Sequence, residues 1–151
     1  PKVIECNCRF GDPETQPVML RLESSLVLLV EAAFAKALDK VEAQWDPRPS
    51  LGVVLAAGGY PGDYAKGDVI NGLDAAAKIE GKVFHAGTAL KDGKVTTNGG
   101  RVLCATAMGS TVADAQQQAY RLAKEVSWNG SFYRSDIGYR AIARERGEHQ
   151  Q

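Results

Sequence analysis

Cysteine is sparse in this chain, and its three copies are badly placed for the uses that cysteine clusters serve. Cys6 and Cys8 form a Cys-x-Cys pair on an apparent strand, and Cys104 lies far away. An odd count with that spacing makes neither a disulfide framework nor a zinc site. The thiols are expected to be structural, in reducing cytoplasm. An excess of one charge sign is also lacking, because basic and acidic residues both number 18. That balance argues against a broad electrostatic grip on nucleic acid or on a membrane, though a local site can still be charged. Long apolar runs are missing too; the longest, residues 26–30 and 51–57, fall far short of a bilayer's thickness. There is no secretory-signal pattern, no internal repeat and no low-complexity tract. No Ser–His or Cys–His arrangement suggests a covalent nucleophile. The stretch Gly58-Gly59-Tyr60-Pro61-Gly62 lacks the Lys-Ser/Thr of a P-loop and reads as a turn.

What is present can fill a core: 44% of the residues are hydrophobic, enough for one domain or a small domain plus a piece of another. Residues 3–9 read as a strand, ended by the turn chemistry of Gly11-Asp12-Pro13. A single helix is predicted over 15–41, with Pro17 in its first turn and Leu22, Leu26, Leu29, Val30, Ala33, Ala37 and Val41 on one face. Trp45-Asp46-Pro47-Arg48-Pro49 cannot continue a helix and is the candidate domain boundary. Beyond it, residues 51–57, 83–89 and 101–108 read as strands, with Val69-Ile70 a further short one. Lys91-Asp92-Gly93-Lys94 turns into Val95-Thr96-Thr97 as a hairpin. Thr111 is an N-cap with Asp114 three residues on, opening a helix over 112–126 that faces Val112, Ala115, Ala119, Leu122, Ala123 and Val126 inward. A short helix over 137–146 and a frayed tail over 148–151 complete the chain. The fold class is therefore α+β: a strand and a helix over 1–46, then a small antiparallel sheet with one main packed helix over 47–147. Pro1 runs directly into strand-like residues with no initiator methionine, so a piece of a longer protein is expected.

Glu5, Asn7 and Arg9 alternate on one face of the predicted strand; Cys6, Cys8 and Phe10 take the other as packing residues. A carboxylate and an amide oxygen suit a hard cation such as Mg²⁺, which leaves its remaining positions to phosphate and water. Arg9 would lie where a metal-bound phosphate could reach its planar fork. The same three residues also suit a solvated polar face, and spacing alone does not choose between the two. Thr97-Asn98-Gly99-Gly100-Arg101 offers either a backbone nest with a guanidinium beside it or a plain hairpin turn before a strand-edge arginine. His85, inside an apolar strand, reads as a hydrogen-bonded core residue.

The longer string Arg9-Phe10-Gly11-Asp12-Pro13-Glu14-Thr15-Gln16 resembles the signature of the glycinamide ribonucleotide synthetases, or phosphoribosylamine–glycine ligases. The preceding Glu-x-Asn-x-Arg resembles the metal-binding strand of the ATP-grasp superfamily. Ser50-Leu51-Gly52-Val53-Val54, Ala56-Ala57-Gly58-Gly59-Tyr60-Pro61-Gly62, Val83-Phe84-His85-Ala86-Gly87-Thr88, Thr97-Asn98-Gly99-Gly100-Arg101-Val102-Leu103 and Arg134-Ser135-Asp136-Ile137-Gly138 are similar to family segments in the expected order. The resemblance implies the end of an ATP-grasp domain over 1–46 and the family's C-terminal domain over 47–147. It implies an ATP-driven ligation in purine biosynthesis: phosphorylation of glycine's carboxylate, then attack by the amine of 5-phosphoribosylamine. On it, Glu5 and Asn7 hold Mg²⁺ or Mn²⁺, Arg9 stabilises the transferring phosphoryl group, Asp12 and Glu14 orient the amine or ribose, and Arg101 and Asn98 bind substrate. ATP is then a co-substrate, the parent a monomer, and nucleic acid and membrane are not partners. The lysines and glycine-rich loop of the other nucleotide-clamping lobe are not in this sequence. The piece alone is expected to be inactive and open to self-association. A carboxylase-type ATP-grasp relative is an alternative weakened by the Asp12-Pro13-Glu14 extension. A non-catalytic packing fragment is the other, and exposed apolar surface on the first long helix would favour it.

Overall fold

The computed structural model describes Val3, Glu5 and residues 7–147. Along them run α1 (Thr15–Arg21), α2 (Leu26–Phe34), a 3₁₀ turn (Leu38–Lys40), β1 (Ser50–Ala56), α3 (Leu73–Ala76), β2 (Lys82–His85), β3 (Thr88–Lys91), β4 (Lys94–Thr97), β5 (Arg101–Met108), α4 (Val112–Glu125) and α5 (Tyr139–Glu145). Two small sheets form, one ordered β1-β5-β2 and one made of β3 and β4. Every strand pair is antiparallel.

The central strand β5 is buried on both faces, from Val102 to Ala107. Strand alternation sends Leu103, Ala105 and Ala107 to one side, opposite Leu55, Val53 and Leu51 of β1. There they meet Ala115, Ala119, Leu122 and Ala123, the buried stripe of α4. That helix has the predicted capping box: the Asp114 N–H donates to the Thr111 hydroxyl at 3.1 Å, and the Thr111 N–H to the Asp114 carboxylate at 3.2 Å. On the opposite face, Cys104 and Thr106 lie beside Gly52 and under α1, with the Ser50 hydroxyl donating to the Pro17 carbonyl at 2.7 Å. Gly52 makes the approach possible, since a Cβ there would sit 2.9 Å from Cys104 Sγ and 3.2 Å from Pro17 Cγ.

Four predicted elements differ. The helix over 15–41 is broken into α1, α2 and the 3₁₀ turn. Residues 22–24 leave helical geometry to pair with 44–46: Leu22 bridges Trp45, the Glu23 N–H donates to the Gln44 carbonyl, and the Gln44 N–H donates to the Ser24 hydroxyl. Ser25 then caps α2. The strand over 3–9 is not formed at the described residues Val3, Glu5 and 7–9, and among the described residues no strand pairs with them. The strand over 83–89 is two strands, because Gly87 packs against Gly99 so closely that a Cβ would fall 2.7 Å from the Gly99 Cα. The hairpin after it has positive φ at Asp92 and Gly93, the type I′ geometry that suits strand twist. Val69 and Asn71 make isolated bridges to Thr96 and Ser127, in place of a strand of their own.

Leu122→Ala is expected to destabilise the chain by about 2–5 kcal/mol, as a core cavity does. Leu90→Ser, at a 76% exposed site, should change stability by less than about 0.5 kcal/mol. Urea unfolding of both variants checks this contrast. A second expectation concerns acid. The Arg48 guanidinium bonds both carboxylate oxygens of Asp46 and lowers its pKa from 3.8 to about 2. A lowered folded pKa gives stability that is present above the ordinary value and lost as pH falls towards 2. Asp46→Asn should flatten the fall in urea midpoint across that interval.

Candidate functional site

The segment from Gly11 to Thr15 leads into α1 and lies beside Arg101, at the start of the central strand β5. The Gly11 carbonyl accepts the Thr15 N–H at 2.9 Å and the Thr15 hydroxyl at 2.5 Å, closing a turn around Asp12, Pro13 and Glu14. The Asp12-Pro13 peptide is cis. Glu14 folds back over Gly11, so that a Cβ at Gly11 would fall 2.4 Å from the Glu14 carboxyl carbon. Asp12 points to the first residue of β5. Arg101 Nη2 lies 2.9 Å from Asp12 Oδ2, and Arg101 Nη1 donates to the Asp12 carbonyl at 3.5 Å. Both side chains remain open to solvent, Arg101 39% and Asp12 55% exposed. An ion pair this exposed contributes about 0–1 kcal/mol, so it orients the turn more than it stabilises the fold.

The backbone on the Arg101 side is held tightly. The Arg101 carbonyl accepts the Gly87 N–H at 3.0 Å, and the Gly100 carbonyl accepts the Ala57 N–H at 2.8 Å. A Cβ at Gly100 would penetrate the Tyr60 ring, 2.2 Å from Cδ2, and only glycine lets that ring pack there. The register of β1 on β5 slips at this point, with Ala56 opposite Arg101. Of the two readings of residues 97–101, a nest or a plain turn before a strand-edge arginine, the nest does not form. The Asn98 N–H donates to the Gly87 carbonyl at 2.7 Å, and none of residues 98–100 has the positive φ that a nest needs. The Asn98 side chain is exposed.

Glu5, Asn7 and Arg9 are all exposed, and Arg9 Nη1 donates to the Phe10 carbonyl at 3.2 Å. Among the described residues no group of three His, Cys, Asp or Glu side chains converges on a possible metal site. The expected packing of Cys8 is not seen, because the residue is exposed; Cys6 lies outside the described residues. His85 is hydrogen-bonded, its Nδ1 3.1 Å from the Thr88 hydroxyl, but exposed and not in the core. Burial pushes the Cys104 thiol up, so it stays protonated and is no nucleophile. No helix among the described residues is long and apolar enough to cross a membrane.

Residues 50–140 match the family model described as phosphoribosylglycinamide synthetase, C domain. The chain belongs to that family. Its sequence is 99% identical over all 151 residues to a phosphoribosylamine–glycine ligase of Pseudomonas putida, of which it spans 35%. It is 67% identical over 148 residues to one of Vibrio cholerae, spanning 98% of this chain and 34% of that protein. A crystal structure of the Thermotoga maritima phosphoribosylamine–glycine ligase superposes with a TM-score of 0.64 at 38% identity, over 90% of this chain and 33% of that one. The chain thus spans about a third of the length of the curated relatives it matches. Asn98 and Arg101 lie inside the stretch matched by the C-domain family. Glu5, Asn7, Arg9, Asp12 and Glu14 precede it, in the part shared with the full-length relatives.

Arg101→Ala should loosen the turn at Asp12. Hydrogen exchange at the Thr15 amide is expected to speed up several-fold, while the amides of β5 beyond Leu103 keep their protection. Unchanged exchange at Thr15 would show that α1 docking alone holds the turn.

Proposed function

We propose that this chain is the C-terminal part of an ATP-dependent phosphoribosylamine–glycine ligase of purine biosynthesis. The observation that carries this reading is the match along the whole chain to the Pseudomonas putida ligase. The division is residues 1–46 as the end of an ATP-grasp domain and 47–147 as the C-terminal domain. All of the buried hydrophobic residues described lie between Leu51 and Trp128, which supports that division.

In the full-length ligase, a carboxylate oxygen of glycine attacks the γ-phosphorus of ATP, giving glycyl phosphate and ADP. The amine nitrogen of 5-phosphoribosylamine then attacks the glycyl carbonyl carbon. The C–O bond to phosphate breaks, and the amine loses a proton. Arg9 carries its charge to the transferring phosphoryl group, where preorganised positive charge is most useful. Asp12 accepts an N–H of the incoming amine, and Glu14 beside it faces the ribose. Arg101 and Asn98 bind the same substrate from the β5 side. The pairing of Asp12 with Arg101 supports this, because it brings an acceptor and a cation from distant parts of the chain to one point. The donors of Glu5 and Asn7, one carboxylate and one amide oxygen, both exposed, fit Mg²⁺ or Mn²⁺. Bound there, such an ion would neutralise charge on the nucleotide phosphates. The free thiols Cys8 and Cys104 suit a cytoplasmic enzyme.

A second reading concerns the chain by itself and has its own observation. On α2, Val27, Leu28 and Phe34 are 65%, 64% and 86% exposed. By itself the chain is an inactive packing piece, with an apolar helix open to docking or self-association.

Asn7→Leu in the full-length ligase is expected to lower glycine-dependent ADP formation by at least about 10²-fold with an unchanged melting temperature. Wild-type turnover in that variant would rule out Asn7 as a ligand.

A further inference from the structure

A second charged site lies away from the Asp12–Arg101 pair. A groove of 530 Å³ opens between residues 134–138 and α5, lined by Arg134, Asp136, Tyr139, Arg140 and Arg144 among others. Three arginines thus share it with one acid. The volume is that of a small-molecule site.

Its back wall is rigid. The Tyr120 hydroxyl of α4 donates to the Arg134 carbonyl at 2.7 Å and accepts the Ile137 N–H at 3.0 Å. Gln116 Nε2 donates to the Ile137 carbonyl at 2.6 Å. Gly138, at φ +83°, presses the turn onto β1, where a Cβ would fall 2.5 Å from Leu51 Cδ1. The arginines are oriented as well. Asp136 takes Arg134 Nε at 2.8 Å and Nη2 at 2.6 Å, one on each oxygen. Arg140 Nε donates to the Tyr139 hydroxyl at 2.9 Å, with its guanidinium carbon 5.5 Å from the ring centroid. The acid carried by α5, Glu145, is turned away: both its oxygens accept the Val112 N–H at the start of α4, at 3.0 and 3.1 Å. Arg140 and Arg144 are four residues apart on one helix face, where like charges repel. An anion between them would remove that repulsion, and planar guanidinium forks match phosphate oxygens two at a time.

We propose that this groove binds the terminal phosphate group of a small organic phosphate, with Arg140 and Arg144 on its oxygens and the fixed Arg134 at its side. A sugar phosphate and a nucleotide share that chemistry. The site does not depend on the ligase reading. The test uses the 151-residue chain and NMR titration with ribose 5-phosphate and with ADP, against ribose and adenosine. At least one phosphorylated probe is expected to shift the amides of 134–144 saturably, and the unphosphorylated controls to shift none. Saturation by ribose 5-phosphate alone identifies a sugar phosphate, and by ADP alone a nucleotide. R140Q/R144Q, with an unchanged thermal melt, should weaken binding about tenfold or more. R101Q, at the other site, should leave it unchanged. The proposal is overturned if neither probe binds at millimolar concentration, if the controls bind equally, or if affinity falls in R101Q and holds in R140Q/R144Q. The last result would move the phosphate site to Arg101 and remove this groove.

Discussion

Everything described here depends on β5 being buried on both faces. A strand in that position must bring a different partner to each side, because neither set of side chains can be left in water without losing the hydrophobic term. Leu103, Ala105 and Ala107 are mostly small, and α4 answers with alanines at 115, 119 and 123, so helix and sheet approach closely. On the other face, Cys104 and Thr106 with Gly52 leave a shallow bed into which Pro17 fits. That second contact carries α1, and α1 carries the turn with Asp12. The placement of Asp12 beside Arg101 is therefore set mainly by packing at Gly52. The exposed ion pair only selects among orientations that packing has already allowed.

Much of the second half was legible because its signals are local. The Thr111–Asp114 box, the Asp92-Gly93 turn and the apolar run of β1 each need only a few neighbouring residues to declare themselves. The failures share a different cause, in that each depended on something distant in sequence. The periodicity from Leu22 to Val41 continues through Ser24 and Ser25, and only the pairing of residues 22–24 with 44–46 shows that the helix must stop. Gly87 reads as strand from its own neighbours, and Gly99, distant in sequence, packs against it. For residues 97–101 the sequence left a nest and a plain turn open, and the distant Gly87, which takes the Asn98 N–H, decides for the turn. At the described residues of 3–9 a strand would need a neighbour to bond with, and no spacing rule supplies one.

The candidate site was half legible in the same sense. The string from Arg9 to Gln16 named residues, and the run from Thr97 to Val102 named Arg101, but nothing in either showed that Asp12 and Arg101 touch. That contact joins positions 89 apart. The arginines at 140 and 144 carried only a weak signal, the i, i+4 repetition of charge on a short helix, and Arg134 lies before that helix. Their importance emerges once Glu145 is seen to face α4, because an acid that could have neutralised them is committed elsewhere.

The helix α2 makes the contrast clearest. A surface helix of a finished domain normally shows a polar face, and α2 reads Leu-Val-Leu-Leu-Val-Glu-Ala-Ala-Phe with none of its residues buried. Its Ser25 cap gives it a defined start. A helix of nine residues is too short to be stable on propensity alone, so its order has to come from tertiary contact. The apolar side chains that β5 and α4 hide from water are, on α2, turned outward. The energetic centre of this chain and its exposed apolar helix are thus separate, and α1 stands between them. It docks on the core through Pro17 and Ser50, and it holds at its own start the turn on which the proposed chemistry depends.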